Sequence, residues 1–93
     1  MEITREENGA RGRWVMRTPE GDEAELLYIR RDGALVAHHT ETPPAFRGKG
    51  AAAALVERAV EDARASGERI LPTCSYVAKK FHDHPEWRDV LAD

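Results

Sequence analysis

The chain predicts a small mixed α/β domain with the element order β-β-β-α-β-α. Three observations carry that prediction. Short apolar runs rich in strand formers recur before residue 41, with turn residues between them. A long stretch after Gly50 repeats its apolar residues at helical spacing. One further strand follows that helix and must be reached by a crossover, which places it parallel to the strand before the helix.

Taken in order, Arg13-Trp14-Val15-Met16-Arg17 is the first strand and Pro19-Glu20-Gly21-Asp22 a turn. Residues 25–30 form the second strand, and Asp32-Gly33 is a strong hairpin signal leading into a third strand at 34–40. The first three strands are therefore expected as an antiparallel meander. Thr42-Pro43-Pro44-Ala45 stops the third, because proline cannot donate to the ladder. From Gly50 to about Ser66, Ala52, Leu55, Val56, Ala59, Val60 and Ala63 line one side of a helix. Glu57, Arg58, Glu61, Asp62 and Arg64 take the other side, as a solvated face with salt-bridge spacing, and Gly67 caps the end. Residues 69–74 are the fourth strand. A shorter helix at 75–82 has Ser75 as its N-cap and Val77, Ala78 and Phe81 as its buried side. His84-Pro85 breaks it, and residues 86–91 form a last turn or two. Residues 1–10 are polar and read as a loose segment ahead of a domain covering 11–93.

Ninety-three residues suit one small domain that folds without staples. Cys74 is the only cysteine, so no internal disulfide can form. The N-terminus is charged from Glu2 onward and no run approaches bilayer length, which leads us to expect a soluble, cytoplasmic protein without membrane partners. A net charge of -3 and a pI near 5.8 argue against a dedicated nucleic-acid binder. The loop Arg47-Gly48-Lys49-Gly50 is nevertheless locally basic.

That loop lies between a strand and a helix, where glycine lets backbone N–H groups approach an anion and the helix dipole favours negative charge. Phosphate is the chemistry it suits. A Walker A loop would need a hydroxyl after the lysine, and Gly50 follows Lys49. Gly48, Gly50 and Ala53 can be forced onto a dinucleotide fingerprint, but Pro43 and Pro44 separate them from their strand and no acid ends the next one. The third reading fits best: Arg47-Gly48-Lys49-Gly50-Ala51-Ala52 matches [QR]-x-x-G-x-[GA]. His39-Thr40-Glu41 and Pro44-Ala45-Phe46 stand upstream of it, with Pro72-Thr73-Cys74-Ser75-Tyr76-Val77 and His84-Pro85-Glu86-Trp87 downstream.

In this combination the chain closely resembles the short, stand-alone GNAT-like N-acetyltransferases of the YjdJ type, over roughly residues 11–91. The resemblance implies a minimal GNAT (acyl-CoA N-acyltransferase) fold that binds acetyl-CoA or CoA. It implies that Phe46, Arg47, Gly48, Lys49, Gly50, Ala51 and Ala52 hold the CoA pyrophosphate through their backbone. The third and fourth strands would splay apart, pantetheine would occupy the gap, and the thioester would lie close to His39 and Cys74. The acceptor would be an amine, on a small molecule or a protein lysine. Larger superfamily members carry helices near the N-terminus that help to wall the acceptor site, and this chain begins almost directly with the sheet. A large or exposed acceptor is therefore left room.

Acetyl transfer needs a neutral amine, and histidine suits the base. His39 is the candidate from the His-Thr-Glu motif, expected on the face of Leu35 and Ala37 with His38 on the other. Its bland reading is a histidine hydrogen-bonded at a strand end. Glu41 would share the face of His39 and orient its imidazole, or else be a solvated carboxylate. Cys74, ahead of a helix N-terminus that stabilises a thiolate, is a candidate nucleophile or proton donor, and otherwise a small core residue. Tyr76 reads as packing, Trp14 and Trp87 as core or lids. The His82-Asp83-His84 run has the wrong spacing for a metal site and reads as a solvated helix end. Two functions compete: an acetyl-CoA-dependent N-acetyltransferase, and a non-catalytic acyl-CoA-binding or sensing module.

Overall fold

The structure, a computed structural model, describes residues 2–92. Met1 and Asp93, the outer ends of the two expected segments, lie outside the described residues. Five strands form one sheet in the order β1-β2-β3-β4-β5: β1 Ile3–Asn8, β2 Arg11–Arg17, β3 Glu23–Arg31, β4 Ala34–Glu41 and β5 Arg69–Pro72. The first four pair antiparallel, and β5 pairs parallel to β4. Helix α1, Ala51–Ser66, makes the crossover; α2, Ser75–Asp83, follows β5. Two 3-10 turns, Pro44–Phe46 and Pro85–Val90, complete the chain. The expected mixed sheet with a parallel crossover is present, with one strand more than the sequence indicates.

That strand is β1, inside the segment read as loose. Its core-facing row carries Ile3, Arg5 and Glu7 rather than three hydrophobes, so alternation does not reveal it. The Arg5 guanidinium lies over Trp14 and Tyr28, 4.9 and 5.1 Å from the ring centroids, and donates to the Tyr28 hydroxyl at 2.9 Å. Its stem and charge cover aromatic surface that an aliphatic residue would otherwise cover. Arg58 of α1 donates to the Ile3 carbonyl at 3.0 Å, tying the strand to the helix.

The β3–β4 hairpin has Asp32 and Gly33 at φ 52° and 80°, both left-handed, as a two-residue turn matched to strand twist requires. Gly12 on β2 pairs with Tyr28, and a Cβ there would lie 2.3 Å from the Tyr28 ring, so glycine makes room for the aromatic. α1 buries Ala51, Leu55, Val56, Ala59, Val60 and Ala63 against the row that includes Trp14, Met16, Leu26 and Tyr28. The Trp14 indole donates to Asp62 at 2.8 Å, so its one polar group is satisfied in the core. At the end of α1, Gly67 adopts the left-handed cap conformation, φ 78°.

Three expectations about β5 and α2 need correction. β5 ends at Pro72, because Thr73 and Cys74 turn away and both donate their N–H to the Ala37 carbonyl, at 3.0 and 3.1 Å. Cys74, not Ser75, is the N-cap of α2. Ala78 is exposed, and α2 buries Val77 and Phe81 only, since residues one turn apart share a face whereas Ala78 lies beside it. The closing 3-10 turn packs Trp87 edge-on against Phe81 and brings Leu91 alongside Ile70, covering the outer edge of β5.

A β-bulge in β4 matters most for the site. Leu27 pairs with His39 and Tyr28 with Ala37, leaving His38 as the extra residue. Directly paired residues point to the same face, so the bulge reverses the alternation beyond it. Thr40, paired with Leu26, joins the helix-covered face; His39, paired with Leu27, lies on the open one. The expectation that His39 shares the face of Leu35 and Ala37 is therefore wrong, because one inserted residue shifts the parity.

Candidate active site

The carboxyl ends of the two parallel strands open the only crossover crevice of the sheet among the described residues, the place where α/β sheets receive ligands. β4 and β5 are paired as far as Ala37 and Pro72; β4 then runs on to Glu41 without a partner on that side. Both helices begin here.

The loop into α1 is built for exposure of its backbone. Pro43 and Pro44 end the strand and start the 3-10 turn, whose Phe46 is buried and anchors it. Gly48 and Gly50 have φ 75° and 67°, and a Cβ on either would meet nothing within 4 Å. These glycines are thus required by conformation rather than crowding, and the space above them is open. No side chain caps α1, and no acidic residue stands in its first turn. Its first N–H groups therefore have no side-chain acceptor, the condition under which a helix start can take an anion. Arg47 and Lys49 are exposed beside them and form no ion pair among the described residues. Ala51 is buried and Ala52 half-buried, so both offer backbone only.

Across the crevice, the half-buried Cys74 thiol lies 3.7 Å from the Thr40 hydroxyl. Burial pushes the thiol up, but the N–H of Val77, the Thr40 hydroxyl and the N–H of Tyr76 favour the thiolate and bring it below the ordinary thiol value. The sulfur makes no capping hydrogen bond of ordinary geometry, so this is the pull of nearby dipoles. His39 is half exposed, and its Nε2 lies 3.5 Å from Glu41, which is more exposed still. The structure thus brings His39 together with Glu41, and Cys74 together with Thr40, on the two sides of β4. No hydrogen bond joins His39 to Cys74 among the described residues.

The remaining sequence candidates have packing explanations. His38 is the exposed bulge residue. Tyr76 packs partly against the core with Lys80 5.7 Å from its ring centroid. His84 stacks on Trp87 at 4.1 Å and bonds Glu86 at 2.9 Å. Thr40 is the partner that sequence reasoning passed over; it stands within the His-Thr-Glu motif, yet its contact depends on the bulge.

A five-stranded mixed sheet, a parallel pair parting at its carboxyl end and an uncapped glycine-rich helix start define an α/β domain with an open crevice at that end. Residues 13–90 match the family model described as GCN5-related N-acetyl-transferase, and the chain belongs to that family of acetyltransferases. No helix among the described residues is long and apolar enough to cross a membrane.

Proposed function

We propose that the protein is an acetyl-CoA-dependent N-acetyltransferase acting on an amine, with the crevice between β4 and β5 as its active site. The observation that carries this reading is the uncapped start of α1, beside two left-handed glycines with open space above them, at the end where the parallel strands part. That arrangement suits a pyrophosphate, held by backbone groups from Phe46 to Ala52 with Arg47 and Lys49 adding charge. The unpaired side of β4 beyond Ala37 suits an extended chain with amide groups, which pantetheine has.

Acetyl-CoA supplies the acyl group as an activated thioester. His39 accepts the proton that the attacking amine must lose, and Glu41 steadies the resulting imidazolium. Cys74, with its thiol lowered, is placed to return a proton to the departing thiolate. In the covalent variant its own sulfur attacks, the carbon–sulfur bond of the thioester breaks, and the acetyl group passes to the amine in a second step.

Native mass spectrometry with acetyl-CoA, followed by denaturation of the same sample, tests this. A noncovalent complex is expected, and acetyl mass retained on Cys74 selects the covalent route. Absence of a complex at millimolar ligand refutes the reading. Binding without transfer to any of a panel of amines, peptides and proteins establishes the acyl-CoA sensing module instead.

A further inference from the structure

The face of the sheet turned away from the helices is divided by charge along the strands. Glu23, Glu25 and Glu41 stand towards the end where β4 and β5 part; Arg11, Arg31 and Arg69 stand towards the other. At the acidic end the charges answer one another: Arg13 holds Glu6, Glu23 and Glu25 at 2.8–2.9 Å, and Arg17 holds Glu6 and Glu23. Arg11, Arg31 and Arg69 are exposed and form no ion pair among the described residues. Beside Arg31 and Arg69, in the next row across the strands, stand Ile29, Val36 and Leu71, half-buried and adjacent in register, with Arg11 at the end of that row. A groove of about 300 Å³ passes along Val36 and Leu71 beside Arg31, with the Asp32 carboxylate of the hairpin turn also in its wall.

His39 is on this same face, opposite Leu27, and Arg31 lies four residues further along β3. At about 3.3 Å per residue the separation is roughly 13 Å, or four residues of an extended chain. An amine presented to His39 therefore arrives over the open face, and whatever carries it can reach the aliphatic row and the arginines.

We propose that this half of the open face docks a segment of the acceptor that carries aliphatic and acidic side chains, so that the acetylated group is a lysine of a polypeptide. The proposal rests on the acetyltransferase reading and names its acceptor. The composition follows from the surface: aliphatic side chains meet Ile29, Val36 and Leu71 while carboxylates reach the arginines beside them. A second copy of the chain is a poorer occupant, because stacking two such faces would cover His39.

The test is fluorescence anisotropy with a labelled peptide carrying one lysine and, four residues beyond it, alternating leucine and glutamate. A control peptide has lysine in place of each glutamate. The acidic peptide is expected to bind about tenfold more tightly than the control, with the difference lost in Arg31→Glu/Arg69→Glu and reduced by salt. The same double variant should bind acetyl-CoA as the parent does, measured by calorimetry. Equal binding of the two peptides, or no change in the variant, overturns the proposal. So does a dimer in sedimentation that the variant dissociates, because the face then belongs to a second copy. Since peptide binding is read without turnover, failure to bind acetyl-CoA counts against the acetyltransferase reading alone.

Discussion

The two sides of this sheet treat polar groups in opposite ways. Around β1 nearly every charge has a partner. Arg5 joins Tyr28, Glu7 and Asp62; Arg30 joins Glu7 and Glu68; Arg13 and Arg17 hold three carboxylates between them. Val15, pointing away from the helices between Arg13 and Arg17, is buried all the same. Where β4 and β5 part, the helix start is uncapped, the loop cations form no ion pair among the described residues and β4 runs on beyond its pairing with β5. Paired groups stabilise the fold and leave nothing for a ligand; unpaired ones do the reverse. The comparison therefore predicts that damage at the first side lowers stability and damage at the second lowers affinity.

The largest effect belongs to the first side. Trp14→Ala removes a fully buried indole and its bond to Asp62, and should cost about 3–5 kcal/mol in urea unfolding. Acetyl-CoA affinity of the protein that remains folded should be unchanged. Gly50→Val is the reciprocal trial. A β-branched residue resists φ 67°, so the loop must shift and, on the proposed reading, lose one or two charge-assisted bonds to phosphate, at about 1.5–3 kcal/mol each. Calorimetry should read that as a loss of tenfold or more in affinity, against a fall in melting temperature smaller than that of Trp14→Ala. If both variants lose stability and affinity together, the division between the two sides fails.

Gly12→Ala sharpens the contrast, because its new Cβ would collide with the fixed Tyr28 ring at 2.3 Å. Overpacking of this kind costs about 1–3 kcal/mol, measurable as a lower melting temperature, although an Ala in an open strand would cost little.

Asp62 gives the pH dependence. Burial raises its carboxyl, but the Trp14 indole and Arg58 outweigh burial and hold it below the ordinary carboxylate range. Its stabilisation is complete above the unfolded value and is lost as pH falls through the lowered folded value. Asp62→Asn should therefore destabilise the protein by about 1 kcal/mol at neutral pH and flatten the acid limb of its stability curve.

The smallest effect is at the crevice. Thr40→Val removes a hydroxyl that favours the Cys74 thiolate, so the pH midpoint of iodoacetamide alkylation should rise. An unmoved midpoint would separate Thr40 from the thiol.

What could be read from the sequence was what is decided locally. Asp32-Gly33 specifies its turn through two left-handed residues, and Leu55, Val56, Ala59 and Val60 specify α1 through period and apolarity. The glycine loop was legible for the same reason, since the conformation it needs is encoded in Gly48 and Gly50 themselves. β1 was not, because its contribution to the core is the stem of an arginine. Nor was the bulge at His38, which arises from how two strands register and leaves no mark in either. That single residue decides which side of β4 His39 takes, and with it the partner of Cys74.

The carbonyl of Ala37 receives three donors: the N–H groups of Thr73 and Cys74, and the Thr73 hydroxyl at 3.3 Å. One oxygen atom thus fixes the apex of the crevice, and it belongs to the main chain. Exchange of side chains can reshape the walls but cannot slide that apex along β4; only insertion or deletion of a residue can. On the acetyltransferase reading proposed above, the depth to which an acyl chain reaches follows from the chain length between Ala37 and Gly48, and descendants of this sequence that change acyl length would be recognised by indels there.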